Sequence, residues 1–266
     1  MNNYSLIEKF HSFKDYLHQG DIASQIIFAI VIIIVGLIFI NIVKKIINGV
    51  NSYSDGRVWL LNGTRNAKHQ LVINTSDSSN TNYKKILRSN NEMDGIEFTY
   101  SLWIFIDDFT INEGKWKHIL HKGNNDTWPN RAPALFLHPN ENTLRVYMNT
   151  FDKIDEHVDI PNIPLQKWVN IIVSLNGQNL DVYINGFLKS RLVLSSIPRQ
   201  NWDNIWVASN GGFGGYISNV RYYDYSIPYS EIDSIVASGP SQKPCTEQGA
   251  NPPYLAANWW QNSYGK

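Results

Sequence analysis

The chain has 266 residues, 43% of them hydrophobic, 17% charged and 13% aromatic, and its 23 Lys and Arg balance 23 Asp and Glu. A chain with no net charge has no global field to draw in nucleic acid or anionic lipid, so nucleic acid is excluded as the expected partner. The single cysteine, Cys245, rules out an internal disulfide and leans toward a reducing compartment.

Ser5 followed by Glu8 has the form of a capping box, and Leu6, Phe10, Phe13 and Leu17 recur on one helical stripe. This predicts an amphipathic helix over residues 1–20 that lies in a membrane interface, with packing on a partner protein as the alternative. From Ile22 to Val43 the chain then reads IASQIIFAIVIIIVGLIFINIV, without a polar side chain between Ile26 and Ile40. At about 1.5 Å per residue this stretch covers roughly 33 Å, the depth of a bilayer core. A transmembrane helix is expected over 21–46, with Ile26, Phe28, Ile32, Leu37 and Phe39 facing lipid. The following KKIINGVNSYS lacks the small-x-small pattern of a cleaved signal peptide, so the segment reads as a permanent anchor. Lys44, Lys45 and Arg57 after the span, against Lys9 and Lys14 before it, place the C-terminal domain on the cytosolic side.

Residues 47–67 are rich in Asn, Ser and Gly and read as a linker. Beyond them the period changes to two. Leu71 and Ile73 open a short strand, and Thr75–Asn82 is a polar loop. In Ile96–Asp107, Ile96, Phe98, Tyr100, Leu102, Ile104 and Ile106 alternate with Glu97, Thr99, Ser101, Trp103 and Phe105. Further strands are predicted at Trp116–His121, Ala134–His138, Thr143–Asn149, His157–Ile160, Trp168–Leu175, Leu180–Ile184, Phe187–Val193, Ile205–Ala208 and Gly215–Tyr223. Turn residues separate them, among them Pro139-Asn140, Asn176-Gly177 and Asn185-Gly186. Many short strands without intervening helical pattern predict a mainly β protein, a two-sheet antiparallel sandwich or jelly roll. Ser226–Ala237 predicts one closing helix, and the Pro- and Trp-containing tail 239–266 reads as extended.

At these residues the sequence resembles the concanavalin A-like lectin/glucanase superfamily, in its laminin G-like jelly-roll branch. The elements that carry the resemblance run in family order. They are Tyr100-Ser101-Leu102-Trp103-Ile104, then Trp168-Val169-Asn170-Ile171-Ile172-Val173, then Leu180-Asp181-Val182-Tyr183-Ile184-Asn185-Gly186. Gly215 to Tyr223 and Ser230-Glu231-Ile232 complete them, so the likeness spans Gln70 to Ala237 and makes 68–238 one domain. Structural tasks follow for three of these residues: Trp168 packs between the sheets, Asn185-Gly186 turns a hairpin, and Gly215 lets the last strand pass a bulky neighbour. The superfold hosts lectins, glycosidases and adhesive modules, so fold alone does not give activity.

Glucanases of the superfamily use two carboxylates on one strand face. The nearest string here, Glu231-Ile232-Asp233-Ser234-Ile235-Val236, lacks the final carboxylate and falls in the closing helix, so the chain is not expected to be an enzyme. No resident cofactor is expected either. Calcium sites in some laminin G-like members imply Asp107, Asp108, Asn124 and Asp126 as candidate ligands, although these residues also suit strand ends. His118 and His121, three apart in a strand, are expected on opposite faces and so not to form a metal site. Gly211-Gly212-Phe213-Gly214-Gly215 lacks the Lys-Ser or Lys-Thr of a phosphate loop and reads as a flexible loop.

Aromatic side chains remain as candidate contacts, because sugars stack on flat rings and proteins use Trp and Tyr as interface anchors. These are Trp116, Trp128, Trp202 and Trp206 in or beside loops, and Trp259 and Trp260 in the tail. The leading expectation is a non-catalytic, membrane-anchored module that grips a protein partner. A membrane-displayed lectin, calcium-dependent in one form, is the alternative. Low cysteine, an Asn and Ile bias and a single-span laminin G-like domain also resemble membrane proteins of large DNA viruses. That resemblance implies a minor structural protein of the virion, bridging an internal membrane and a capsid.

Overall fold

In the computed structural model the described residues are 29–30, 32–43, 57–87, 91–92 and 95–245. The expected interfacial helix, Ile26, Phe28, Trp259 and Trp260 lie outside them. Residues 29–30 and 32–43 are helical, and Ile32, Leu37 and Phe39 are exposed on that helix. No helix among the described residues is long and apolar enough to cross a membrane, and the expected span 21–46 extends beyond them on both sides.

The β domain begins with β1 (Arg57–Asn66), β2 (Leu71–Ile73), β3 (Asn91–Glu92) and β4 (Gly95–Asp108). It continues with β5 (Lys117–Gly123), β6 (Arg131–Leu137), β7 (Thr143–Met148), β8 (Glu156–Pro161) and β9 (Trp168–Asn176). The last strands are β10 (Asn179–Ile184), β11 (Phe187–Val193), β12 (Ile205–Val207) and β13 (Gly214–Tyr223). They form two antiparallel sheets. The first has the order β1-β13-β4-β9-β10-β11, with β3 paired to β4, and the second β2-β12-β5-β6-β7-β8.

The sheets face each other across one core because period-two alternation sends a whole apolar face inward. Phe98, Tyr100, Leu102, Ile104 and Ile106 of β4 and Val169, Ile171, Val173 and Leu175 of β9 meet Leu135, Leu137, Leu144 and Val146 from the second sheet. Burying each such side chain contributes about 1.5–3 kcal/mol. The helix Tyr229–Ser238 lies on the outside of the first sheet, where Ile232 and Ile235 pack on Ile172 and Tyr223. That cover explains why the outward Thr99 and Ser101 of β4 are buried; Thr99 Oγ1 donates to the Tyr225 carbonyl at 2.9 Å.

Five local expectations are corrected. The described end of the expected linker, Arg57–Asn66, is strand β1, paired with β13. Register shifts between Trp59 and Leu61 and between Leu61 and Thr64 put Leu60 and Leu61 side by side in the core, which erases the period-two signal. Trp168 points away from the core, since its neighbours Val169 and Ile171 point into it, and meets Phe105 in a tilted ring contact at 5.6 Å. The glycine run is a close-packed crossing and not a flexible loop: a Cβ on Gly212 would stand 1.9 Å from the Ala67 carbonyl oxygen, and one on Gly215 1.9 Å from that of Phe105. The beginning of the tail does not simply extend away. Thr64 N–H donates to the Lys243 carbonyl at 2.8 Å, and Cys245 N–H to that of Thr64 at 3.0 Å, so the tail adds to the β1 edge. The fifth correction concerns the His118–His121 pair, described with the site below.

Candidate functional site

The register of the second sheet lays out an aromatic surface. Trp206 lies opposite His121, His121 opposite Ala134, Ala134 opposite Tyr147 and Tyr147 opposite His157, a row crossing β12, β5, β6, β7 and β8. Beside it run His118, Phe136, Arg145 and Asp159. Directly opposed residues of antiparallel strands share a face. Leu135, Leu144 and Val146, which alternate with them, are in the core, so both rows face outward.

Trp116, just before β5, covers the second row. Its ring meets Phe136 edge-on at 6.3 Å, His138 at 5.2 Å and Tyr147 at 6.4 Å. Two arginines lie over the aromatic surface. The Arg131 guanidinium is held between Trp128 and Tyr147, 4.9 and 3.7 Å from their ring centroids. The Arg145 guanidinium lies 4.8 Å over Trp116, while its Nε and Nη2 each donate to an Asp159 carboxylate oxygen at 2.6 Å. Those hydrogen bonds hold the Asp159 carboxyl below the usual range and raise Arg145. Stacking of a cation on a ring contributes about 0.5–2 kcal/mol, more where water is excluded. Arg131 Nε is buried with no hydrogen-bond partner among the described residues.

On β5 a register shift between His118 and Leu120 turns His118 and His121 onto the same face, against the expectation that they diverge. His118 Nε2 and His121 Nδ1 are 2.6 Å apart. Ser209 N–H donates to His118 Nδ1 at 3.0 Å, so the His118 proton sits on Nε2 and is donated to His121. His121 then carries its own proton on Nε2, which is donated to the Asn124 carbonyl at 2.9 Å. Both imidazoles are neutral in this chain. Burial and the neighbouring His121 push His118 well below the usual histidine range, and burial pushes His121 down to about 4. The chain ties the loop carrying Trp128 to the sheet, because Asn124 Nδ2 donates to the Trp128 carbonyl.

Of the tryptophans expected as contacts, Trp116, Trp128 and Trp206 are thus linked on one face. Trp206 stacks on His121 and donates from Nε1 to the Gly123 carbonyl at 2.9 Å, which makes it a part of the scaffold. Trp128 and Trp116 remain 48% and 38% exposed and are available for contact. Trp202, 72% exposed, stands elsewhere, at the rim of a cleft between the sheets. Arg131, Arg145 and Tyr147 were not singled out as contacts in the sequence. Arg145 and Tyr147, two apart in a predicted strand, carry the signal that finds them.

The structure does not bring the four candidate calcium ligands together. Asp107 and Asp108 end β4 and lead through the loop 109–116 to the start of β5, whereas Asn124 and Asp126 follow its end, about 20 Å away along a seven-residue strand. Asp108 Oδ1 is engaged by Thr110, accepting from its N–H at 2.8 Å and its hydroxyl at 2.6 Å. Among the described residues no group of three or more His, Cys, Asp or Glu is placed to hold a metal ion. Glu231 lies in the closing helix, where it accepts from the Tyr225 hydroxyl at 3.1 Å and pairs with Arg57 at 3.2 Å.

Two antiparallel sheets in this order, with a helix on the outside of one and an aromatic outer face on the other, define a jelly-roll sandwich of the laminin G-like class. The chain belongs to the concanavalin A-like lectin/glucanases superfamily, whose laminin G-like family model matches residues 74–233. No curated protein matches it in sequence. Among solved structures it is similar to the binding domain of botulinum neurotoxin DC in complex with rat synaptotagmin II, at 15% identity and a TM-score of 0.44, covering 54% of this chain and 36% of that one. It is also similar to the receptor binding domain of botulinum neurotoxin D, at 14% identity and a TM-score of 0.47, covering 67% of this chain and 43% of that one. The chain spans less than half the length of either structure, and the likeness is one of fold alone.

Proposed function

We propose that the chain is a non-catalytic, membrane-anchored binding module that grips a protein partner with the outer face of its second sheet. The observation that carries this reading is the Arg131 guanidinium held between Trp128 and Tyr147, beside Arg145 on Trp116. Trp, Tyr and Arg dominate the energetic centres of protein interfaces, and here they are rigidly presented, so little side-chain entropy is lost on contact. The apolar stretch from Ile22 to Val43 supports the anchor, and the flanking lysines support a cytosolic C-terminal domain. In an assembly with an internal membrane and a protein shell, such a module would link the two as a minor structural protein, a reading supported by composition alone.

The test has two parts. Resistance of the full chain to alkaline extraction from membranes, with the C-terminal domain digested by protease from the cytosolic side, is the expected result for the anchor. For the face, Trp128→Ala and Arg145→Ala release the module from its native assembly, whereas Phe187→Ala on the first sheet leaves it in place. The exposed Trp128 and Trp116 rings also favour a second reading, a glycan-binding lectin. A glycan array with and without chelator separates the two: ring-dependent glycan binding supports the lectin, and a blank array supports the protein partner.

A further inference from the structure

A cleft opens between the two sheets at the end of the sandwich where β5 finishes. Phe98 and Tyr100 of β4 and Tyr222 of β13 line it on one side, Lys122 of β5 and Ala132 of β6 on the other, and Trp202 stands at its rim. Its volume is about 160 Å³, close to the roughly 150 Å³ of an apolar cavity that holds benzene. A second, polar compartment of about 260 Å³ shares Ala132 and Trp202 with it and adds Arg199 and Asp203. An apolar chamber thus joins a polar mouth.

Lys122 sits where the two meet. It lies opposite the buried Ile205, so its side chain points between the sheets. Its Nζ donates to the Asp203 carbonyl at 2.5 Å, one of the three hydrogen bonds an ammonium can make. In the polar mouth the Arg199 cation and the Asp203 carboxylate balance, so the Lys122 ammonium on the chamber wall is the charge left to meet an anion. The chamber walls are edge-packed rings: Phe98 and Tyr100 stand 5.6 Å apart, Tyr100 and Tyr222 5.0 Å.

We propose that this cleft binds a small aromatic carboxylate, its ring between Phe98, Tyr100 and Tyr222 and its carboxylate on Lys122 Nζ. The site is separate from the aromatic outer face and does not depend on it. Burial lowers the Lys122 pKa to about 8, with the Asp203 charge opposing. An anion beside the ammonium restores the charged form, so affinity for the carboxylate declines as pH rises past about 8.

Calorimetric titration of the full chain with phenylacetate, with its neutral isostere phenylacetamide as control, tests the proposal. Phenylacetate is expected to bind with a Kd on the order of 0.1–1 mM, at least about tenfold tighter than the amide, as small ligands of this size do. Lys122→Met, verified as folded by its thermal transition, erases that preference while still binding the amide. Trp202→Ala weakens both ligands. Should Lys122→Met fail to fold, the pH series on the unaltered chain stands alone: a fall of about tenfold per pH unit above 8 for the carboxylate, and none for the amide, supports the site. No saturable binding of phenylacetate to about 10 mM, equal affinity for the two ligands, or a carboxylate affinity that is flat with pH overturns it.

Discussion

His118 Nε2 donates to His121 Nδ1 across 2.6 Å, and the pair completes a hydrogen-bonded chain from the Ser209 N–H to the Asn124 carbonyl. The first two links, which end on a ring Nδ1, require neutral imidazoles. In the unfolded chain both residues take the ordinary histidine value of about 6.5. In the fold His121 falls to about 4 and His118 well below its usual range. The folded form therefore binds fewer protons than the unfolded one between these values. The stability the pair contributes is present above about pH 6.5 and is lost as pH falls toward 4. His121 alone accounts for an amount on the order of 3 kcal/mol, with burial and then the Arg131 charge lowering its pKa, and the Asn124 hydrogen bond and Asp203 opposing. Denaturant midpoints measured between pH 7 and 4 are expected to drop more steeply for the unaltered chain than for a His118→Phe, His121→Leu variant, which lacks this pair.

Gly215 has φ +153° and crosses so close to Phe105 that a Cβ would stand 1.9 Å from its carbonyl oxygen. The obstacle is backbone in the paired strand and cannot turn aside. Gly215→Ala is expected to cost about 3 kcal/mol or more by chemical denaturation. At the β10–β11 turn, Gly186 has φ +85° and a Cβ would make only an ordinary contact, 3.4 Å from Val236. Gly186→Ala is expected to cost about 1 kcal/mol, the strain of the left-handed conformation alone.

Arg145 joins two roles, stacking on Trp116 and making a two-pronged hydrogen bond with Asp159. A lysine keeps the charge but loses both the planar stack and the fork. Because Asp159 is 40% exposed, solvent screens the pair, and Arg145→Lys is expected to lower stability by only about 1 kcal/mol. Asp159 has a lowered pKa, so its contribution is present above about pH 4 and fades as pH falls below that. A shift larger than about 3 kcal/mol in urea unfolding would show that Trp116 and Phe136, which pack beside Arg145, collapse with the pair.

Period-two alternation made most strands legible, and where it ran unbroken, as in β4 and β9, their positions and apolar faces followed from the side chains alone. Legibility stopped where the register shifts. The two irregularities in β1 set Leu60 and Leu61 consecutively in the core, and the chain there looked like a linker. The shift after His118 brought two histidines together that strict alternation separates. Trp168 was misplaced for another reason: a large ring suggests a core, yet its strand parity points outward, where Phe105 receives it. For the site, the sequence marks Trp116 and Trp128, and the spacing of Arg145 and Tyr147 on one strand carries a signal for that pair, whereas Arg131, stacked on Tyr147 from another strand, leaves no local pattern.

Site-specific photocrosslinking tests the proposed binding face most directly. A photoreactive aromatic residue at position 128, which keeps a ring beside Arg131, is introduced into the full chain in its native membrane, with the same residue at position 187 on the first sheet as the comparison. The account predicts one discrete protein adduct from position 128, lost when Arg145→Ala or Trp116→Ala is added, and no such adduct from position 187. Adducts of equal yield from both positions, or an adduct at 128 indifferent to both substitutions, would contradict it.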